Sequence, residues 1–192
     1  MRSIGKVCLI IGFLLVAASL ALLLSVRLTA RQAESRNAAA VEIISSLLPP
    51  IQPGIKDTYS NMAMPTVEID GTDYVALVDI PTLALTLPVA NDWHSVKVLS
   101  GPHRFDGTVY DGSLIVGGVD QPGQFSGFSL LQLGDTVTVT DMTGLAFHYV
   151  IDRIDRATSA SEEILTAGTA DLTLFVRNAY NLDYILLRCV AE

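Results

Sequence analysis

Residues 171–178 read Asp-Leu-Thr-Leu-Phe-Val-Arg-Asn, and this stretch decides the fold class. Its centre, residues 172–176, is a short run of apolar and β-branched residues, which is typical of a buried strand. Residues 184–190, Tyr-Ile-Leu-Leu-Arg-Cys-Val, form a second run of the same kind. Both runs are too short for an ordinary helix, so they predict two strands near the end of the chain.

The same pattern continues upstream and predicts a mostly β domain over residues 66–192. Short apolar runs bounded by turn residues occur at 67–70, 74–80, 83–89, 113–116, 136–140 and 147–154. Gly71-Thr72 and Asp141–Gly144 lie between such runs and predict hairpin turns. Segments near 125–133 and 159–165 predict short helical turns. Many short strands at close spacing predict a sandwich or a barrel.

The N-terminal region predicts a membrane anchor followed by a stem. Residues 7–26 contain no charged residue, and as a helix they would span the roughly 30 Å hydrocarbon core of a bilayer. Basic residues precede them, so we predict an uncleaved signal anchor within residues 1–27, a single-pass protein with a cytoplasmic N-terminus and an extracytoplasmic domain. Residues 28–65 predict a helical stem, ended by Pro49-Pro50, and a proline-containing spacer.

Composition excludes several classes of partner and cofactor. The formal net charge is −8; residues 1–60 carry six Lys and Arg against three Asp and Glu, whereas residues 61–192 carry six against seventeen. An acidic domain repels phosphates, so no nucleic acid is expected. Cys8 and Cys189 form no disulfide framework, and the three histidines are scattered, so we expect no metal and no cofactor.

Over residues 66–192, several motifs occur in an order that resembles the sortases, a family of cysteine transpeptidases. The motifs are Ile80-Pro81 followed by Leu87-Pro88-Val89, Gly101–Thr108, Leu114–Gly118, Gly134–Val137, Phe147–Val150 and Asp171–Arg177. Each motif is weak alone, and their order and spacing carry the resemblance, which is closest to the compact class B-like sortases of Firmicutes. The resemblance implies a closed β-barrel of about eight strands with short helices, on the envelope of a Gram-positive cell.

The resemblance also implies three catalytic groups, and all three are substituted here. The family uses a cysteine nucleophile, a histidine that exchanges protons and an arginine that stabilises the oxyanion or holds the substrate. By position, these groups fall on Arg177, Val119 and Tyr184 respectively. Valine cannot transfer a proton, and a guanidinium offers no lone pair for attack. We therefore expect no functional catalytic residue and a chain without transpeptidase activity.

Two functions are compatible with these substitutions. In the first, a non-catalytic protein binds sorting-signal peptides or pilin-like proteins, or assists an active sortase in surface-protein or pilus assembly. Arg177 then either pairs with a peptide carboxylate, or pairs with Asp120 or Asp183 and plugs the groove.

In the second function, an active cysteine transpeptidase attaches surface proteins to the cell wall through Cys189. That cysteine leaves no room for an arginine downstream, and its alternative interpretation is a packed strand residue. A relic without a selected role would have the same sequence.

Overall fold

The short apolar runs form strands in the computed structural model, which describes residues 2–59, 62–93, 97–168, 170–178 and 183–192. Within these residues, the strands are β1 (Gln52–Pro53), β2 (Val67–Ile69), β3 (Thr72–Ile80), β4 (Leu85–Ala90), β5 (His103–Asp106), β6 (Leu114–Asp120), β7 (Thr136–Asp141), β8 (Leu145–Ala157), β9 (Leu172–Asn178) and β10 (Tyr184–Ala191). The helices are α1 (Arg2–Leu47) and α2 (Glu162–Thr166), with 3₁₀ turns at Pro81–Leu83, Lys97–Leu99 and Phe128–Leu130.

The strands from β3 to β10 close into a barrel of eight. Hydrogen-bonded neighbours follow the order β8–β10–β9–β6–β5–β4–β3, and β7 pairs with both β3 and β8, which closes the ring. Alternate side chains point inward and share one apolar core that includes Val78, Val116, Leu174 and Leu187. The predicted closed barrel of about eight strands with short helices is confirmed.

Strand β5 was not predicted: it falls within the Gly101–Thr108 motif, which resembles a loop of the sortases. It pairs with β6 through His103 and Gly117, with an irregularity in register between Arg104 and Asp106. Four residues with mixed polarity are too few to display a two-residue period. The pairing is therefore visible in the tertiary structure and not in the pattern.

The predicted spacer after α1 is part of the folded domain. Strand β1 pairs in parallel with β8. Lys56 forms an ion pair with Asp171, and the ring of Tyr59 lies 5.7 Å from that of Tyr110. Met64 is buried in the barrel core. The turn-rich composition predicted a linker, but these side chains have partners that are distant in sequence.

The C-terminal half of α1 packs along the barrel with one face. The buried residues of that face, spaced three or four apart as a helical stripe requires, are Ala33, Asn37, Ala40 and Ile44. Asn37 donates from Nδ2 to the carbonyl oxygens of Gly123 at 2.7 Å and Ser100 at 3.3 Å. Gly123 has a φ of 80°, and a Cβ there would collide with the backbone of Glu34. The helix therefore joins the loop after β6 to the loop before β5.

Side chains of α1 are described from Ile11 onward, except those of residues 23, 26, 27, 29 and 30. Among the described residues, no helix combines the length and the apolar content that a membrane span requires. The predicted anchor at 7–26 therefore is not confirmed and stays a prediction, part of which lies outside the described side chains.

A buried carboxylate holds the hairpin between β7 and β8. Asp141 is fully buried, and its Oδ1 accepts hydrogen bonds from the backbone N–H and the hydroxyl of Thr143, both at 2.8 Å, and from the N–H of Leu145 at 2.9 Å. Its Oδ2 accepts a hydrogen bond from the Tyr110 hydroxyl at 2.6 Å. The carboxylate thus connects the turn to the loop between β5 and β6.

We predict that Asp141→Ala lowers the free energy of unfolding by about 3 kcal/mol, because the Tyr110 hydroxyl and the turn N–H groups lose their acceptor. Tyr110→Phe, which removes a single donor, is the matched control and is expected to cost about 1 kcal/mol. Urea denaturation of the two variants and the parent measures both values. Equal midpoints for Asp141→Ala and the parent would contradict this role.

Candidate functional site

The three positions that the resemblance assigns to the catalytic groups form one row across adjacent strands. In the parallel pair β6–β9, Val119 lies opposite Arg177. In the antiparallel pair β9–β10, Arg177 lies opposite Tyr184. Residues opposite one another in paired strands project from the same face of a sheet, so the three side chains share one side. The positions assigned from linear motifs are therefore neighbours in space.

This row faces outward from the barrel. Leu174 and Val176 of β9 belong to the barrel core, whereas Phe175 between them belongs to a second apolar cluster on the outer wall. Tyr184 packs against that outer cluster as well. Because side chains alternate along a strand, Arg177 is on the outer face together with Phe175. The outer wall formed by β6, β9 and β10 is the candidate site.

The three side chains of the row differ in exposure. Val119 is buried, Arg177 is exposed and Tyr184 is half-buried, with its ring 6.3 Å from that of Phe175. The N–H of Val119 donates to Oε1 of Gln124 at 3.2 Å, which anchors the following loop to the strand end. The row itself therefore offers a solvated guanidinium and a phenol, which can bind an anion.

Aromatic rings cover the wall beside the row. The ring of Trp93 lies 5.2 Å from that of Phe105 and 5.3 Å from that of Phe175, and the latter two are 5.7 Å apart. A Cβ at Gly117 of β6 would collide with the rings of Phe175 and Trp93. The absence of a side chain at Gly117 therefore allows the rings to lie directly on the strand. Glycine inside a strand was the one sequence signal of this close approach.

Helix α2 covers the adjoining part of the same wall and is held by Arg188. Arg188 is buried and donates from Nη1 and Nη2 to the carbonyl oxygens of Leu165 and Ile164, and from Nη1 to Oγ1 of Thr173 at 3.0 Å. Its Nε lies 3.4 Å from Oδ2 of Asp155. Sequence analysis missed this role, because an arginine inside a predicted strand gives no indication of its partner.

Of the acidic residues predicted to pair with Arg177, Asp120 has a backbone partner. Its Oδ1 accepts a hydrogen bond from the N–H of Gly127 at 3.2 Å. The backbone carbonyl of Asp183 accepts a hydrogen bond from the N–H of Asn178 at 2.8 Å. Residues 179–182 between them lie outside the described residues. The ion pair of Arg177 with Asp120 or Asp183 stays a prediction.

The other sequence-predicted groups lie away from the row. His103 is buried in β5, with Nδ1 2.6 Å from the carbonyl oxygen of Asp92. His148 is exposed in the middle of β8, with Nδ1 3.1 Å from Oγ1 of Thr138. His94 lies outside the described residues. Among the described residues, no three His, Cys, Asp or Glu side chains form a cluster that could hold a metal ion.

Cys189 points into the barrel and not toward the row. It lies on β10 and is fully buried in the apolar core of the barrel, and this burial raises the pKa of its thiol to about 12. At neutral pH the thiolate, which is the nucleophilic form, is therefore scarce as well as inaccessible. The interpretation of Cys189 as a packed strand residue agrees with this environment.

Comparisons with known proteins identify the architecture. No family model matches the chain, and no curated protein matches it in sequence. Solved structures do match. The sortase D5 transpeptidase of Clostridium perfringens is 19% identical, with a TM-score of 0.53, covering 62% of this chain and 79% of that protein. Sortase C1 of Streptococcus agalactiae is 21% identical, with a TM-score of 0.53, covering 70% and 73%.

A lid mutant of sortase A from Corynebacterium diphtheriae is also similar, at 19% identity and a TM-score of 0.53, covering 62% of this chain and 70% of that protein. Likeness at this level of identity shows the fold alone. The chain has the sortase fold, which confirms the resemblance at the level of architecture. The class B-like affinity is not confirmed, since these three structures belong to classes D, C and A.

We predict that Cys189 resists alkylation in the folded protein, because the thiol is buried and its pKa is raised. In a Cys8→Ser variant, iodoacetamide at pH 8 should modify Cys189 about a thousandfold more slowly than it modifies the urea-unfolded chain, in line with the lower thiolate fraction. Mass spectrometry of timed samples measures both rates. Equal native and unfolded rates would mean that the thiol is reachable.

Proposed function

We propose that this protein, which has the sortase fold, is a non-catalytic member of the cell-envelope machinery that binds peptides. The observation that carries the proposal is the row Val119–Arg177–Tyr184, which occupies the positions where the resemblance expects histidine, cysteine and arginine. Members of a catalytic set act as a unit, so the loss of all three removes the transpeptidase reaction.

Peptide binding is supported by the exposed guanidinium of Arg177 beside the outer aromatic cluster. A guanidinium binds a carboxylate through two parallel hydrogen bonds, and aromatic rings supply apolar contact area for the rest of a peptide. We propose a sorting-signal peptide or a pilin-like protein as the partner, or an active sortase that this protein assists. In the competing proposal Arg177 pairs with Asp120 or Asp183 and plugs the groove.

The alternative of an active transpeptidase that uses Cys189 finds little support. The thiol is buried in the barrel core, on the opposite side of the barrel wall from the outward-facing row. A nucleophile must reach the carbonyl carbon of its substrate, and burial prevents this approach.

We expect the full chain to bind a sorting-motif peptide without joining it to an amine nucleophile, because the row contains no thiol or imidazole. Arg177→Gln should weaken binding of a peptide with a free carboxylate about tenfold, as expected for one lost charge-assisted contact. The same peptide as an amide should bind both proteins equally. Fluorescence anisotropy measures binding, and liquid chromatography with mass spectrometry detects product.

A reverse substitution provides the control for the transpeptidase assay. The triple variant Val119→His, Arg177→Cys, Tyr184→Arg restores the three expected groups on the same row and should form a thioacyl adduct with the peptide. Any product formed by the parent chain would contradict a non-catalytic role. The variant Cys189→Ala would then show whether Cys189 is the nucleophile.

We further propose that residues 7–26 tether the protein to the membrane, with the barrel outside the cytoplasm. The support is the uncharged stretch of 20 residues preceded by Arg2 and Lys6. The full chain should stay in the membrane pellet after carbonate extraction, and a variant lacking residues 2–26 should be released. Recovery of the full chain in the supernatant would refute the tether.

A further inference from the structure

A second polar row crosses a different wall of the barrel. Thr86 of β4 pairs with Asp79 of β3, Asp79 pairs with Thr138 of β7, and Thr138 pairs with His148 of β8. The Thr86 hydroxyl donates to Oδ1 of Asp79 at 2.7 Å, and Oγ1 of Thr138 lies 3.1 Å from Nδ1 of His148. All four side chains line one cavity of about 910 Å³, which we call the stem groove.

Apolar residues also line the stem groove, and we call them the rim. They are Leu48, Pro49, Pro50 and Ile51 of the segment that follows α1, and Leu77 of β3. Ile51 is 66% exposed, so this rim presents apolar surface to whatever enters the groove. The two prolines restrict the rim backbone, which keeps its shape largely preformed. A ligand therefore needs an apolar stem along the rim and a polar end near Asp79 and Thr138.

Charge decides which polar end fits. Among the described residues that line the stem groove, Asp79 alone carries a fixed charge, and no Lys or Arg of the described chain forms an ion pair with it. Residues 61–192 also carry six Lys and Arg against seventeen Asp and Glu, so the surrounding field attracts cations. A half-buried carboxylate beside an apolar rim is best satisfied by a cationic ligand.

The hydrogen bond from Thr86 narrows the choice of cation. It uses one lone pair of Oδ1 of Asp79, which leaves Oδ2 as the less engaged acceptor of this carboxylate. A guanidinium binds best to two carboxylate oxygens in parallel, whereas an ammonium is a point charge that one oxygen satisfies. The methylenes of a lysine side chain also match an apolar rim, because such stems pack on apolar surface while the charged end reaches a polar group.

We propose that the stem groove binds a primary ammonium group on an apolar stem, the side chain of a lysine in a partner polypeptide. The ammonium contacts Oδ2 of Asp79, the hydroxyl of Thr138 accepts a further hydrogen bond, and the rim covers the stem. This site uses none of the residues of the row Val119–Arg177–Tyr184. It therefore stands or falls independently of the proposed function of that row.

The test is a titration of the full chain with the peptide acetyl-Leu-Lys-Leu-amide and with analogues that carry norleucine or arginine in place of lysine. NMR chemical shifts of the amides of Asp79 and Thr138 report binding. The lysine peptide should saturate in the millimolar range and bind at least tenfold more tightly than the norleucine peptide. Asp79→Asn should weaken the lysine peptide about tenfold, as expected for one charge-assisted hydrogen bond.

Two variants and one small amine make the test specific. Glu68→Gln removes an exposed carboxylate from β2 and should leave the affinity unchanged. Thr86→Val frees Oδ1 of Asp79 and should raise the affinity of the arginine peptide relative to the lysine peptide. n-Butylamine should bind at least tenfold more weakly than the lysine peptide, and equal affinity would overturn a polypeptide ligand.

Three results would overturn the proposal as a whole. They are equal binding of the lysine and norleucine peptides, unchanged affinity in Asp79→Asn, and no saturation by the lysine peptide. If Asp79→Asn melted at a lower temperature than the parent, its loss of affinity could come from lost stability. Thr86→Val would then test the proposal, because an unchanged ratio of the affinities for the arginine and lysine peptides would contradict the role of Oδ2.

Discussion

The parallel pairing of β6 with β9 is the constraint on which the outer wall of this protein depends. It places Val119 beside Arg177, and the antiparallel partner β10 adds Tyr184 to the same row. A shift of one residue in either pairing would move alternate side chains to the other face of the sheet. The buried inner side chains of β9, such as Leu174, oppose such a shift because they would leave the core. The packing of the barrel core therefore fixes the strand register, and the register places the three side chains of the row side by side.

Contacts from several elements shape the wall around the row. Gly117 lets the rings of Phe175 and Trp93 lie on β6, and Arg188 holds α2 against the same surface through the carbonyl oxygens of its last turn. The result is a wall in which apolar contacts cover the strands and the guanidinium of Arg177 is exposed near the end of β9. The proposed binding of a peptide depends on this arrangement of rings beside an exposed guanidinium.

Much of the fold could be predicted from the sequence. The runs at 67–70, 74–80, 136–140 and 147–154 all became strands, because short apolar runs between turn residues are typical of strands with a buried face. Strands β1 and β5 were missed because they have two and four residues and contain no apolar run. The contacts of the predicted spacer could not be predicted either, because the partners of Lys56 and Tyr59, Asp171 and Tyr110, are distant in sequence.

By itself, the sequence determined that residues 66–192 would be mostly β, because short apolar runs between turn residues are local properties. The closed barrel and the assignment of catalytic groups to positions 177, 119 and 184 came from the resemblance, and the solved structures confirm the barrel. The tertiary structure alone decided that these positions adjoin one another on one outward row, that Cys189 faces the core and that Asp79 meets an apolar rim. Each of these facts depends on register and on side-chain direction between distant strands. Register is set by the packing of the whole core, which no single stretch of sequence contains.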